Sequence, residues 1–317
     1  MPTGLFRQVL YGKEKNTDKT TDLITVVVLV FSGLAMIILR LPILKALSER
    51  PVYYVSLDYY FYALLVLWIV NLILCIHPVS RRLCPVLNFL LTMVFGYMTA
   101  EIVFRYSPPA IPSGYLHFLG LKGAAHINAF FMHRALQVFP LVMMTALLLS
   151  YKGKFPNYLR FGDLSVKTDI LNRNNPQAWS SVLLRFGIYL FLILGIMTVI
   201  SYRRFSPAGL NTGLLIPIIL YAGWNCFVEE TIFRGILMPV LSGSFGDKTG
   251  NIIQAVLFGC MHLSPVNIAV SVVRMVIFTF LGWFFGNAVK QTQGLGTSWI
   301  LHMLIIFAIE IRIMTMA

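Results

Sequence analysis

The stretch LLIPIILYAGWNCFVEETIFRGILMPVL, residues 214–241, decides how the rest of the chain is read. It is apolar almost throughout, yet it carries Glu229, Glu230 and Arg234. A bilayer core about 30 Å thick takes about 20 apolar residues of helix at about 1.5 Å of rise each. The run is therefore long for one upright span, and its C-terminal part is expected to tilt or to emerge among headgroups. Ionisable groups at that depth are costly, face the interior of a bundle, and mark a functional site by default.

Outward from this run the pattern repeats. The chain has 317 residues, 58% hydrophobic and 12% charged, against roughly 25% charged in a soluble domain. Apolar runs cover residues 23–45, 58–76, 84–104, 131–150, 181–202, 212–241, 252–266, 267–289 and 297–315. The expected fold is all-α, a polytopic transmembrane bundle of about eight or nine spans. It divides into a cytoplasmic tail (1–22), N-terminal spans and loops (23–179) and a C-terminal region (180–317) that carries the chemistry. The net charge of +13 comes from Lys and Arg set between apolar runs, which reads as a topology signal rather than a nucleic-acid surface. Arg7, Lys13, Lys15 and Lys19, then Arg81 and Arg82, then Lys152, Lys154, Arg160, Lys167 and Arg173 recur in alternate loops, which favours a cytoplasmic N-terminus; Arg203 and Arg204 run against it. The first apolar run reads as a retained signal anchor. The partners implied are the bilayer itself and no nucleic acid. Cys75, Cys84, Cys226 and Cys260 lack CxxC spacing, so packing is the role expected of them. No internal repeat points to a transporter of inverted halves, which leaves that class a distant alternative.

Within the spans, Glu229, Glu230, Arg234, His262 and His302 are the ionisable residues of interest, all in the C-terminal third. Adjacent α-helical residues differ by about 100° in azimuth, so Glu229 and Glu230 are expected to face different ways. Four residues on, Arg234 shares the face of Glu230, and the order suits an intrahelical ion pair. Glu229 has no such local partner, so it is the candidate for chemistry, with His262 and His302 on later helices as companions. With the N-terminus inside, all three fall in the cytoplasmic half of the bilayer. Glu101 with Arg105 reads as a structural pair.

These residues fall into a pattern. Two glutamates, three variable residues and an arginine (Glu229, Glu230, Arg234), a phenylalanine four before a histidine (Phe258, His262), and a further histidine (His302) lie on successive apolar runs. In this the chain resembles the CAAX-processing and bacteriocin-protection intramembrane proteases, which include the CAAX prenyl endopeptidases, over roughly residues 180–315. The third motif departs from that family, because Ile306 stands where an asparagine is usual. The resemblance implies an intramembrane cavity open to the cytoplasmic side and a multi-pass protein, of the plasma membrane if the source is prokaryotic. It implies that Glu229 and His262 activate water and that His302 stabilises the oxyanion. Asn225 and Ser298 are the candidates to replace the missing asparagine; Ser298, one turn before His302, comes first.

The activity implied is an endopeptidase acting on a membrane-associated, C-terminally lipidated or small peptide substrate. A metal-independent glutamate mechanism with no cofactor is favoured. Zinc held by Glu229, His262 and His302 is the alternative, since one carboxylate and two imidazoles with water also form a catalytic zinc site. A further alternative is an impaired family member that binds peptides as a membrane immunity or scaffold protein.

Overall fold

A computed structural model describes residues 57–76, 83–106, 135–152, 158–168, 170, 174–200, 215–262 and 268–316. The expected tail, the span at 23–45, the signal anchor and the loop with Arg203 and Arg204 lie outside them. The helices are α1 (Leu57–Ile76), α2 (Cys84–Tyr106), α3 (Val138–Lys152), α4 (Trp179–Ile200), α5 (Leu215–Glu230), α6 (Met238–Phe245), α7 (Asp247–Met261), α8 (Ile268–Thr292) and α9 (Gly296–Met316). A π-helical segment, Thr231–Leu237, joins α5 to α6. The two-residue strands β1 (Lys167–Thr168) and β2 (Gln177–Ala178) pair antiparallel.

The all-α expectation holds over these residues. Segments Cys84–Val103 and Ala269–Thr292 are helices long and apolar enough to cross a membrane, and Tyr60–Leu74, Val138–Ser150, Trp179–Ile193 and Gly296–Ile309 are shorter apolar helices. Outward faces are apolar too: Val273, Val276, Ile277 and Phe280 on α8 and Leu184, Ile188, Phe191 and Leu192 on α4 are each about half exposed or more. Apolar faces that water would penalise suit lipid contact. The long run at 212–241 does not continue as one α-helix. It changes to π geometry after Glu230 and stops at Gly246, whose positive φ of 79° admits glycine readily.

The described residues separate into two compact units: those within 57–106, 137–152 and 232–286 form the first, and those within 135–136, 158–231 and 287–316 the second. In the first, α1 and α2 pair, with Asn71 Nδ2 donating to Asn88 Oδ1 at 2.7 Å. Phe89, Leu87 and Leu90 of α2 and Met144 and Leu148 of α3 fill its core. Glycines let helices close on one another: Gly96 leaves no room for a Cβ against Pro140, and Gly282 and Gly286 of α8 meet Ala255 and the Asn251–Gln254 pair of α7. Gln254 Nε2 donates to Asn251 Oδ1 at 2.8 Å and to the Gly282 carbonyl at 2.9 Å, and Asn251 Nδ2 to that of Trp283 at 3.2 Å.

Cysteine usage is corrected in part, since Cys84 is disulfide-bonded while Cys226 and Cys260 are free thiols. CxxC spacing carries no information on such a bond, because the fold can bring cysteines together whatever their separation in sequence.

In the second unit α9 packs on α5 and α4. Residues before α4 are tied to the turn preceding α9: Asp163 N donates to the Thr292 carbonyl at 2.9 Å, Leu295 N to that of Arg160 and Gly296 N to that of Phe161, both at 2.8 Å. Gly162, with φ 91°, lies against Thr292 and Gly294. The Ser165 hydroxyl and backbone N–H both donate to Asp163 and hold its carboxyl below the usual aspartate range. Trp179 Nε1 donates to Gln291 Oε1 at 3.0 Å, so the start of α9 is braced from the side.

Candidate active site

In the second unit the two glutamates end α5 and His302 stands in α9. Trp299 Nε1 donates to the Gly223 carbonyl at 2.8 Å, which ties the two helices together. One turn further along α9, His302 Nδ1 lies 2.9 Å from Glu230 Oε1, with both side chains 1% exposed. The other ring nitrogen, Nε2, is 3.8 Å from Glu229 Oε2, too long for a direct hydrogen bond and close enough for strong electrostatic coupling.

That arrangement changes the reading of the glutamate pair. Helical azimuth does separate Glu229 from Glu230, but an imidazole has nitrogens on opposite sides, so one ring reaches both. Glu230 therefore has a second duty beyond the expected pairing with Arg234. With Nδ1–H given to the Glu230 carboxylate, the tautomer and ring orientation of His302 are set, and Nε2 is turned toward Glu229.

Immediately after Glu230 the helix widens. Thr231 Oγ1 donates to the Phe227 carbonyl at 2.7 Å at the change from α to π geometry, satisfying an oxygen whose backbone ladder is shifted. The α-helical four-residue register behind the Glu230–Arg234 expectation does not extend through this segment.

Arg234 and His262 belong to the first unit. The Arg234 guanidinium, fully buried, lies 4.1 Å from the centroid of the Phe258 ring, 5.4 Å from that of Phe285 and 5.9 Å from that of Phe233. A desolvated cation–π contact of this kind is worth about 2 kcal/mol. Phe258 thus serves the arginine of the first motif as well as the histidine of its own. His262 stacks on Phe278, with centroids 3.7 Å apart and planes 9° from parallel. Its Nδ1 lies 2.8 Å from the Phe258 carbonyl. Because a carbonyl only accepts, Nδ1 carries the proton, and Nε2 of the neutral ring keeps its lone pair to accept a proton or bind a ligand.

Of the two candidates to replace the asparagine missing at Ile306, Ser298 is buried and donates its hydroxyl proton to the Leu295 carbonyl at 3.0 Å. That proton is spent within the protein. Asn225, also buried, is one α-helical turn before Glu229.

Residues 211–308 match a family model described as Rce1-like, type II CAAX prenyl endopeptidase Rce1-like. Over that segment the sequence is similar to the Rce1-like family. No curated protein and no solved structure matches the chain. The Rce1-like segment contains Glu229, Glu230, Arg234, Phe258, His262 and His302, together with Asn225, Ser298 and the departure at Ile306.

Among the described residues no three His, Cys, Asp or Glu side chains are grouped so as to hold a metal ion, and one nitrogen of His302 is already engaged by Glu230. No step is derived through a metal. The aromatic box around Arg234 and the stack of His262 on Phe278 escaped the sequence reading. Phe278 and Phe285 stand in a helix whose many apolar residues give no sign of which ones turn inward.

Proposed function

We propose that the chain is a multi-pass intramembrane endopeptidase that hydrolyses a peptide bond near the C-terminus of a membrane-associated, CAAX-type substrate without a metal ion. The observation that carries this reading is the imidazole of His302, with Nδ1 2.9 Å from Glu230 and Nε2 3.8 Å from Glu229, within a segment similar to the Rce1-like family. Glu229, with His262 as the resemblance assigns it, takes a proton from water. The water oxygen bonds to the scissile carbonyl carbon, and the carbonyl electron pair moves onto oxygen. In this scheme His302 acts as the doubly protonated imidazolium, giving Nδ1–H to Glu230 and Nε2–H to that oxyanion. Collapse of the intermediate expels the amine, which takes the proton first held by Glu229. Burial of both carboxylates and the imidazole keeps these groups from being levelled by bulk water. The eight or nine spans, the cavity open to the cytoplasm and the cytoplasmic N-terminus belong to the same proposal.

The test uses the full chain in lipid nanodiscs with a farnesylated CAAX peptide and its unprenylated counterpart, products being read by mass spectrometry. Wild type is expected to cleave the farnesylated peptide and to remain active in EDTA, and Glu229→Ala and His262→Ala to lose cleavage while staying folded. Cleavage by Glu229→Ala at the wild-type rate removes the proposed base. Loss of activity with a stoichiometric metal on chelation, restored by zinc, replaces the mechanism with the zinc one.

Ile306 and the committed Ser298 hydroxyl favour one second reading, an impaired family member that binds a peptide and releases it uncut. Peptide binding without cleavage by wild type, unchanged in Glu229→Ala, would select it.

A further inference from the structure

Asn225 presents a cost without a visible return. It is 2% exposed, and its side-chain oxygen is buried with no hydrogen-bond partner among the described residues. A polar group left unpaired in this way is destabilising, and nearly all buried amides avoid it. The position is specific. Asn225 and Glu229, four apart on regular α-helix, share a face of α5, and that side of the His302 ring is the one bearing Nε2.

The neighbouring polar groups differ in how they are engaged. The Ser298 hydroxyl goes to Leu295 and that of Thr231 to Phe227. Thr297 Oγ1 is likewise buried without a partner, but five residues before His302 it lies about 140° round α9 from it. An amide offers both a donor and an acceptor, which is the complement of a peptide group.

We infer that Asn225 is the amide donor to the reacting carbonyl oxygen of the peptide substrate, in the place left by Ile306. The inference rests on the peptidase reading. As the water oxygen bonds to carbon and charge moves onto the carbonyl oxygen, Asn225 Nδ2–H donates to that oxygen alongside His302. Asn225 Oδ1, without a hydrogen-bond partner among the described residues, accepts from a backbone N–H of the bound peptide. The amide donor then stands on the helix of Glu229, one turn from the base, and not on that of His302.

The experiment compares wild type, Asn225→Ala, Asn225→Leu, Thr297→Val and Asn225→Ala/Ile306→Asn on the farnesylated peptide in nanodiscs, with melting temperatures measured alongside. Both Asn225 variants are expected to lose about 10²- to 10³-fold in kcat, the cost of removing one oxyanion donor, with melting temperatures equal to or above wild type because an unsatisfied buried group has gone. Thr297→Val should keep its kcat, and Ile306→Asn should restore at least tenfold to Asn225→Ala. Two results overturn the inference and leave the peptidase reading standing: kcat within threefold of wild type in Asn225→Leu while Glu229→Ala is inactive, or a loss matched by a fall in melting temperature in both Asn225 variants. Absence of cleavage by wild type removes the peptidase reading and this inference with it.

Discussion

Replacing Glu230 by glutamine isolates what the carboxylate does for His302. The contact is 2.9 Å between two side chains that are each 1% exposed, so water cannot substitute for a lost partner. Glutamine keeps the volume and one acceptor oxygen but removes the charge, and its NH2 can turn toward Nδ1 and force the other tautomer. A hydrogen bond to a charged group contributes about 1.5–3 kcal/mol. If that energy is what orients the imidazole in the transition state, at about 1.36 kcal/mol per decade kcat falls by about 10- to 150-fold. The assay is steady-state cleavage of the farnesylated peptide in nanodiscs, with ¹⁵N spectra of histidine-labelled protein to read the His302 tautomer. The expected result is that loss in kcat, a KM within twofold of wild type, a changed His302 spectrum and a melting temperature within a few degrees. A Glu230→Gln variant with kcat within twofold, or with an unchanged His302 spectrum, refutes the reasoning and returns Glu230 to a purely structural role.

Two further outcomes follow from the packing. Gly286→Ala places a methyl on Asn251 Oδ1 and 2.8 Å from Gln254 Nε2; overpacking of this kind costs about 1–3 kcal/mol, so thermal unfolding should begin at lower temperature, and an unchanged melting curve would show that α7 and α8 do not close as described. Ser298→Ala removes a hydroxyl whose proton is bound to Leu295. It should cost about 1 kcal/mol of stability and leave kcat within threefold of wild type, whereas a hundredfold loss in kcat would make Ser298 the oxyanion donor after all.

Much of the helical framework was legible in advance. The runs at 58–76 and 84–104 reappear as Leu57–Ile76 and Cys84–Tyr106, and those at 267–289 and 297–315 as Ile268–Thr292 and Gly296–Met316. Apolar length alone predicts such helices, since any unpaired backbone in hydrocarbon is costly. Within the run at 131–150 the helix described is Val138–Lys152, and the described part of the long run at 212–241 resolves into α, π and α segments. Hydropathy carries no information about either, because it records which residues are apolar and not how the backbone ladder is closed.

The sequence by itself singled out Glu229, Glu230, Arg234, His262 and His302 as candidates, through the cost of placing ionisable groups in apolar runs and through their ordered spacing. Only the tertiary structure decided who touches whom within each unit. Periodicity along one helix can compare residues of that helix, but the partners here come from elsewhere in the chain: Glu230 meets an imidazole 72 residues away, and Arg234 rests on Phe258 and Phe285 of two later helices. The same reason separates Ser298 from Asn225. Spacing favoured the serine beside His302, while the hydrogen-bond geometry shows its proton already spent and leaves the asparagine oxygen, one turn from Glu229, without a partner among the described residues.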